Sequence, residues 1–158
     1  MGEYLTAGEY LPHNSPMMLL DDVISVADDS VHCRVRVCRE GVLAPFLTPA
    51  GDLPAWFTLE IMAQTVGVWS GWHSRQRGEP VARLGMLLGA RTLRSQTPAI
   101  ACGNVLDIKM TLLLQDEKFG SFEGEVSCAE CSLATARINI YQPDQQELKQ
   151  LFKQDGMA

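Results

Sequence analysis

The chain has 158 residues, 46% hydrophobic and 20% charged, proportions suited to one globular domain with a substantial core. A formal net charge of -6 argues against nucleic acid as a partner, because neutralising phosphates needs a basic excess. No basic stretch leading into an apolar run and a small-residue cleavage site opens the sequence, so a cytoplasmic location is expected.

In chain order, Tyr10-Leu-Pro-His-Asn-Ser-Pro-Met-Met-Leu-Leu-Asp-Asp22 contains two prolines and reads as a rigid, turn-rich lead-in. A short strand is predicted at 22–27, then a turn at Asp28-Asp29-Ser30. Residues 31–39 alternate, with Val31, Cys33, Val35 and Val37 on one face. From 54 to 77 the pattern predicts one long helix, with Pro54 near its first turn, Asp52 before it, Arg75 and Arg77 closing it and Gly78 just past its end. Its apolar residues, among them Trp56, Leu59, Ile61, Val66, Trp69 and Trp72, run all the way round. Such a helix is expected to be buried on every side.

A strand near 83–94 follows. Three further alternating rows come after it: Leu106, Ile108, Met110, Leu112 and Leu114; Phe122, Val126 and Cys128; and Ala134, Ala136, Ile138 and Ile140. A turn at Lys118-Phe-Gly120 joins the first two rows. Strands with one wet and one dry face, joined by short turns, predict an antiparallel sheet, and the helix is the apolar partner they need. The expected architecture is α+β, a curved antiparallel sheet wrapped around a long central helix. A membrane span is the competing reading of the helix, since residues 53–72 carry one charge; Glu60, Gln64, three hydroxyl residues and the proline speak against it. No repeat or linker divides the chain, so residues 1–158 are expected to form one domain, with a core at about 8–142 and a tail at 143–158.

Cys33, Cys38, Cys102, Cys128 and Cys131 are odd in number and read as reduced thiols, mostly within strands. Cys128-Ala-Glu-Cys131 is a lone CxxC with no second pair or HxxxH to complete four ligands, so no metal site is expected.

Glu60 is the most informative residue, a carboxylate in the second turn of an otherwise apolar helix, where an unpaired charge is costly. Gln64, Gly67 and Gly71 continue from it at helical spacing as a stripe of polar and small residues. Such a stripe suits a channel for an extended acyl chain, or the close approach of another stretch of backbone. A carboxylate tolerated through a local hydrogen bond is the plainer reading of Glu60.

Two motifs carry a family resemblance. Leu11-Pro12-His13-Asn14-Ser15-Pro16-Met17-Met18-Leu19-Leu20-Asp21 resembles the opening motif of bacterial 3-hydroxyacyl-acyl-carrier-protein dehydratases. Pro54-Ala55-Trp56-Phe57-Thr58-Leu59-Glu60-Ile61-Met62-Ala63-Gln64 resembles the motif that starts their central helix. The order and separation of the motifs and the strand pattern agree over roughly residues 8–142. Within the family the chain is most similar to the dehydratase-like subunit of aryl polyene pigment biosynthesis, on the helix sequence that runs from Glu60 to His73 and the terminal Tyr141-Gln142-Pro143. The resemblance implies the hot-dog fold, paired edge to edge with a second subunit, and loss of water from a 3-hydroxyacyl thioester borne on acyl carrier protein phosphopantetheine. No metal, nucleotide or flavin is implied.

In the family a histidine removes the proton beside the thioester carbonyl, and a carboxylic acid on the central helix protonates the departing 3-hydroxyl. Backbone N–H groups near a helix N-terminus stabilise the enolate oxygen. Glu60 matches the acid by position, and apolar burial is expected to keep it protonated. The chain departs from the family in the loop before the helix. Ala44-Pro45-Phe46-Leu47-Thr48-Pro49-Ala50-Gly51-Asp52-Leu53 contains no histidine.

Of the three histidines, His73 lies far along the helix and on nearly the opposite side from Glu60, and His32 shares a solvated strand face with Arg34 and Arg36. His13, between two prolines, is the candidate base, with a structural role as its plainer reading. Two explanations fit. His13 serves a self-sufficient homodimer, or Glu60 completes a site whose histidine comes from a different dehydratase subunit in a heterodimer. Arg75, Arg77, Arg83, Arg91 and Arg94 form a candidate docking surface for the acidic carrier protein, or simply a solvated edge. Gly85 and Gly89 are candidates for backbone approach to the thioester arm, beside Gln64 and Gly67 as substrate-binding positions. The rival functions are a thioesterase on the same fold and a non-catalytic subunit that stabilises an active dehydratase.

Overall fold

The computed structural model describes residues 4–10, 18–78, 86–95, 98–116 and 119–141, with 86–95 described by backbone alone. Strand β1 (Asp22–Val26) turns into β2 (Ser30–Arg36), and a loop leads to the two-residue β3 (Leu53–Pro54) and the helix α1 (Phe57–Gln76). Then come β4 (Met86–Ser95), the short β5 (Ala99–Ile100), β6 (Val105–Gln115), β7 (Phe119–Cys128) and β8 (Cys131–Tyr141). Six strands form one antiparallel sheet in the order β1-β2-β6-β7-β8-β4, and β3 pairs with β5 in a separate ribbon. The strands predicted from alternation appear as β2, β6, β7 and β8, because in each of them one face is dry and one wet, and β4 covers the described part of the strand expected near 83–94. Val31, Cys33 and Val35 of β2, Leu106, Ile108 and Met110 of β6, and Ile138 and Ile140 of β8 are buried with Ile61, Met62 and Val66 of α1 in one core.

Three expectations are corrected. The helix starts at Phe57, not near Pro54, because Leu53 and Pro54 pair with Ile100 and Ala99 and Ala55 N–H donates to Pro98 O at 3.0 Å. Asp52 is therefore too far from the helix to act on its dipole, and Glu60 is the acidic residue of the first turn. The other end follows the sequence. Gly78 adopts φ +73 and its N–H donates to Arg75 O at 3.1 Å, the left-handed stop that glycine accepts without strain.

The helix is also not buried all round. The sheet covers the side of Ile61, Met62, Thr65, Val66 and Trp69, while Glu60 is exposed, Leu59, Ala63 and Trp72 are half-buried, and Trp56 just before the helix is 68% exposed. Among the described residues no helix is long and apolar enough to cross a membrane.

The third correction concerns the apolar row of β6. Met110 pairs with Gly124 and Leu112 with Phe122, but the register shifts between Leu112 and Leu114. The extra residue of this bulge turns the following side chains over. Leu114 then pairs with the outward Ser121, leaving Leu113 41% and Leu114 71% exposed. The same strands turn slightly earlier than Lys118-Phe-Gly120, since Phe119 and Gly120 already belong to β7 and Asp116 N–H meets Phe119 O at 3.0 Å.

Candidate active site

The carboxylate of Glu60 stands on the fourth residue of α1, on the side that the sheet leaves open. The apolar burial expected for it is not supplied by the described residues of this chain. Trp56, one turn earlier, is exposed beside it, and its ring lies 5.8 Å from Phe57, which in turn lies 5.2 Å from Phe46. Phe46 ends a 3-10 turn, Ala44–Phe46, in the loop where the family carries its histidine. That loop is held against the helix start by aromatic packing, and Arg39 ties it by donating to Pro49 O at 3.1 Å. Gly51, at φ +92, closes against the Arg39 guanidinium, where a side chain would collide.

The stripe behind Glu60 is occupied by the chain's own lead-in. Gln64 Oε1 accepts the Leu19 N–H at 2.7 Å. At Gly71 an added Cβ would fall on the Tyr10 carbonyl, so only glycine lets the two backbones touch. The Arg75 guanidinium sits 5.9 Å from the Tyr10 ring centroid, and Tyr10 Oη accepts the Leu5 N–H at 3.0 Å. Of the two uses the sequence leaves open for this stripe, close backbone approach is the one seen at Gly71, and the Gln64 carbonyl is engaged by Leu19. His13 itself lies outside the described residues, between these two anchors.

The other histidines are committed elsewhere. His73 Nε2 lies 2.9 Å from Ala27 O, the same carbonyl that Trp69 Nε1 donates to at 3.2 Å, and its ring packs between Trp69 and Trp72. Thirteen residues beyond Glu60 it is about 20 Å along the helix.

His32 is not simply solvated, as its strand face suggested. Its Nε2 meets Asp107 Oδ1 at 2.7 Å and Arg34 Nε meets the same oxygen at 2.9 Å, across the β2–β6 ladder on the outer face. Partial burial alone would raise the Asp107 carboxyl. The hydrogen bonds from His32 and Arg34, with their charges, outweigh it and hold the carboxyl below its ordinary 3.8. Alternation placed His32 and Arg34 on one face; their shared partner, 75 and 73 residues on, had no local signal.

The arginine cluster is spread out. Arg75 and Arg77 are exposed at the end of α1, while Arg91 and Arg94 stand five and eight residues into β4, roughly 17 and 26 Å beyond its start. Gly89 falls at a register shift of β4 against β8; Arg83 and Gly85 lie outside the described residues. Cys128 and Cys131 face each other across the β7–β8 hairpin, and among the described residues no group of three or more His, Cys, Asp or Glu is placed to hold a metal.

The family model of ApeP-like proteins, the ApeP dehydratases, matches residues 5–153. The 3-hydroxyacyl-acyl-carrier-protein dehydratase FabZ of Acinetobacter baumannii is 28% identical over 136 residues, 85% of this chain and 92% of the relative. A chain of the dehydratase heterocomplex ApeI:P from Xenorhabdus doucetiae is 58% identical, with a TM-score of 0.89 over 95% of this chain and 99% of that one. A hypothetical thioesterase from Streptococcus pneumoniae TIGR4, solved with coenzyme A, is 15% identical at a TM-score of 0.59 over 78% of this chain and 86% of that one, a likeness of fold alone. The fold is the α+β hot-dog fold, and the chain belongs to the ApeP-like dehydratase family.

Proposed function

We propose that this dehydratase removes water from 3-hydroxyacyl thioesters held on acyl carrier protein, and that its site is completed by a histidine-bearing dehydratase subunit in a heterodimer. The observation that carries this reading is Glu60, exposed on the helix side the sheet leaves open, beside an exposed Trp56 and a loop without histidine. The dehydratase relative found in a heterocomplex supports it. A partner laid over that side excludes water from Glu60.

The partner's imidazole takes the C2 proton, the C2–C3 double bond forms, and the C3–O bond breaks as Glu60 gives its proton to the leaving hydroxyl, which departs as water. By the family's pattern, backbone N–H groups near a helix N-terminus hold the thioester oxygen while it carries charge. The elimination is redox-neutral and asks for an acid, a base and an oxyanion donor, so the reading assigns no cofactor beyond the carrier's own phosphopantetheine. The arginines at the end of α1 (Arg75 and Arg77) and on β4 (Arg91 and Arg94), with Arg83 between them in the sequence, are the proposed cationic contacts for an acidic carrier protein. Gly89, at the register shift of β4, suits backbone contact with the thioester arm, and Gly85, outside the described residues, is proposed for the same role from the sequence. The reading places the enzyme in the cytoplasm.

A second reading has its own support. Tyr10 meets Gly71 and Leu19 meets Gln64, so the described residues on both sides of His13 in the sequence lie on the same helical stripe as Glu60. In that case His13 is the base of a self-sufficient dimer. Glu60→Gln in the assembled enzyme tests the acid under both readings. Activity is expected to fall about 10²–10⁴-fold with carrier-protein binding retained; an unchanged rate would make this chain a stabilising subunit.

A further inference from the structure

Four of the five cysteines gather at one end of the sheet, where β7 turns into β8 and the loop before β6 meets the end of β2. Cys128 and Cys131 are cross-strand partners on the two sides of the β7–β8 turn. The Cys128 thiol donates to Asn104 Oδ1 at 3.3 Å, and Asn104 Nδ2 donates to Ala101 O at 2.8 Å, so the exposed Cys102 stands in the loop beside them. Gly103 N–H donates to Val37 O at 2.7 Å, which brings Cys38 to the same end, where its Sγ packs against Gly41. The fifth, Cys33, is buried in the core and hydrogen-bonded with Thr65.

Of these thiols one pair is held opposite each other by the backbone itself. The turn between them has two central residues, Ala129 at φ 50 and Glu130 at φ 69, both left-handed, as in the two-residue turns whose twist matches their strands. Directly paired residues of antiparallel strands have Cα atoms about 4.5–5.5 Å apart, with both side chains on one face. A disulfide spans Cα atoms about 4.4–6.8 Å apart, so this pair can bond by side-chain rotation with little backbone movement. Access differs between the two sulfurs. Cys131 is exposed, while Cys128 is half-buried and packs against the core.

We propose that Cys128 and Cys131 form a reversible disulfide across the β7–β8 turn, by exchange with a small-molecule disulfide such as that of glutathione. The Cys131 thiol gives its proton to water, and its thiolate bonds to one glutathione sulfur. The glutathione S–S bond breaks and one glutathione thiolate leaves. Cys128 then gives up its proton, and its thiolate attacks the Cys131 sulfur, breaking the mixed disulfide and releasing the second glutathione thiolate. Two thiols are oxidised, and one glutathione disulfide is reduced to two glutathiones. Closure removes the proton that Cys128 donates to Asn104, so oxidation acts on the loop before β6 as well as on the turn. An exposed disulfide of this kind is readily reduced again by other thiols.

Mass mapping of the full chain tests the pairing. The chain is incubated with glutathione disulfide at pH 8, quenched in acid, alkylated, and digested with trypsin without reduction. Trypsin leaves Cys128 and Cys131 together on residues 119–137 and Cys102 apart on residues 95–109. The expected product is a 119–137 peptide lighter by two hydrogens and without alkylation, from a chain whose circular dichroism is still that of the folded protein. Dithiothreitol should restore both alkylated thiols. Cys128→Ser is expected to hold one glutathione on Cys131, and Cys131→Ser to leave Cys128 unmodified. Linkage of 95–109 to 119–137, two separate glutathione adducts on 119–137, or two free thiols there would overturn the proposal.

Discussion

At Asp107 one carboxylate oxygen serves His32 and Arg34 at once, 2.7 and 2.9 Å away, with the carboxylate 24% exposed. Because the folded carboxyl is held below its ordinary value, the stability it contributes is present above pH 3.8 and is lost as pH falls through the depressed value. Asp107→Asn is expected to cost about 1 kcal/mol at pH 7 and to flatten the acid limb of a pH–stability curve measured by urea unfolding. Cys33 has the opposite sign. Burial, only partly offset by a hydrogen bond with Thr65, pushes its thiol from 9.0 up to about 12. Stability linked to it is intact below pH 9 and is lost as pH rises toward 12. Maleimide at pH 8 should label the exposed Cys102 and Cys131 in the folded protein and reach Cys33 only after denaturation, as read by peptide mass mapping.

At the scale of elements, two backbone features set the cost of change. The β7–β8 hairpin closes through Ala129 at φ 50 and Glu130 at φ 69, left-handed positions that favour Asn and Gly. Replacing the pair by Asn-Gly should raise stability by about 1 kcal/mol, read as a higher urea midpoint with an unchanged slope. Gly71→Ala should do the reverse, because its methyl displaces Tyr10; a loss of about 1–3 kcal/mol is expected, with amides near Leu5 and Leu19 exchanging faster.

The strands were legible in the sequence because burying one face of a sheet writes itself as alternation. The start of α1 was not, because a two-residue ribbon between Leu53-Pro54 and Ala99-Ile100 depends on residues nearly fifty positions away. Leu114 was misplaced for a related reason. A bulge shifts register without altering the apolar pattern that reports it.

For the whole molecule, the informative discrepancy is the open side of α1. The sequence shows an apolar helix with one carboxylate, which reads as complete burial. The fold instead leaves Glu60 and Trp56 exposed for something else to cover, with Trp72 only partly buried. The acid was legible as a lone charge at a position the family motif marks. Its cover was not, because no local pattern within one chain encodes what another chain packs against. Assembly with a histidine-bearing subunit should therefore shift the tryptophan emission of this chain to the blue, and Trp56→Ala should remove that shift.

The most direct test of the account is a dehydration assay on a 3-hydroxyacyl carrier-protein substrate, following the enoyl product by mass spectrometry. The chain is assayed alone and with a histidine-bearing partner, in wild-type and Glu60→Gln forms. The account predicts turnover only in the assembled pair, lost when this chain carries Glu60→Gln. Full turnover by the pair with Glu60→Gln in place would contradict it.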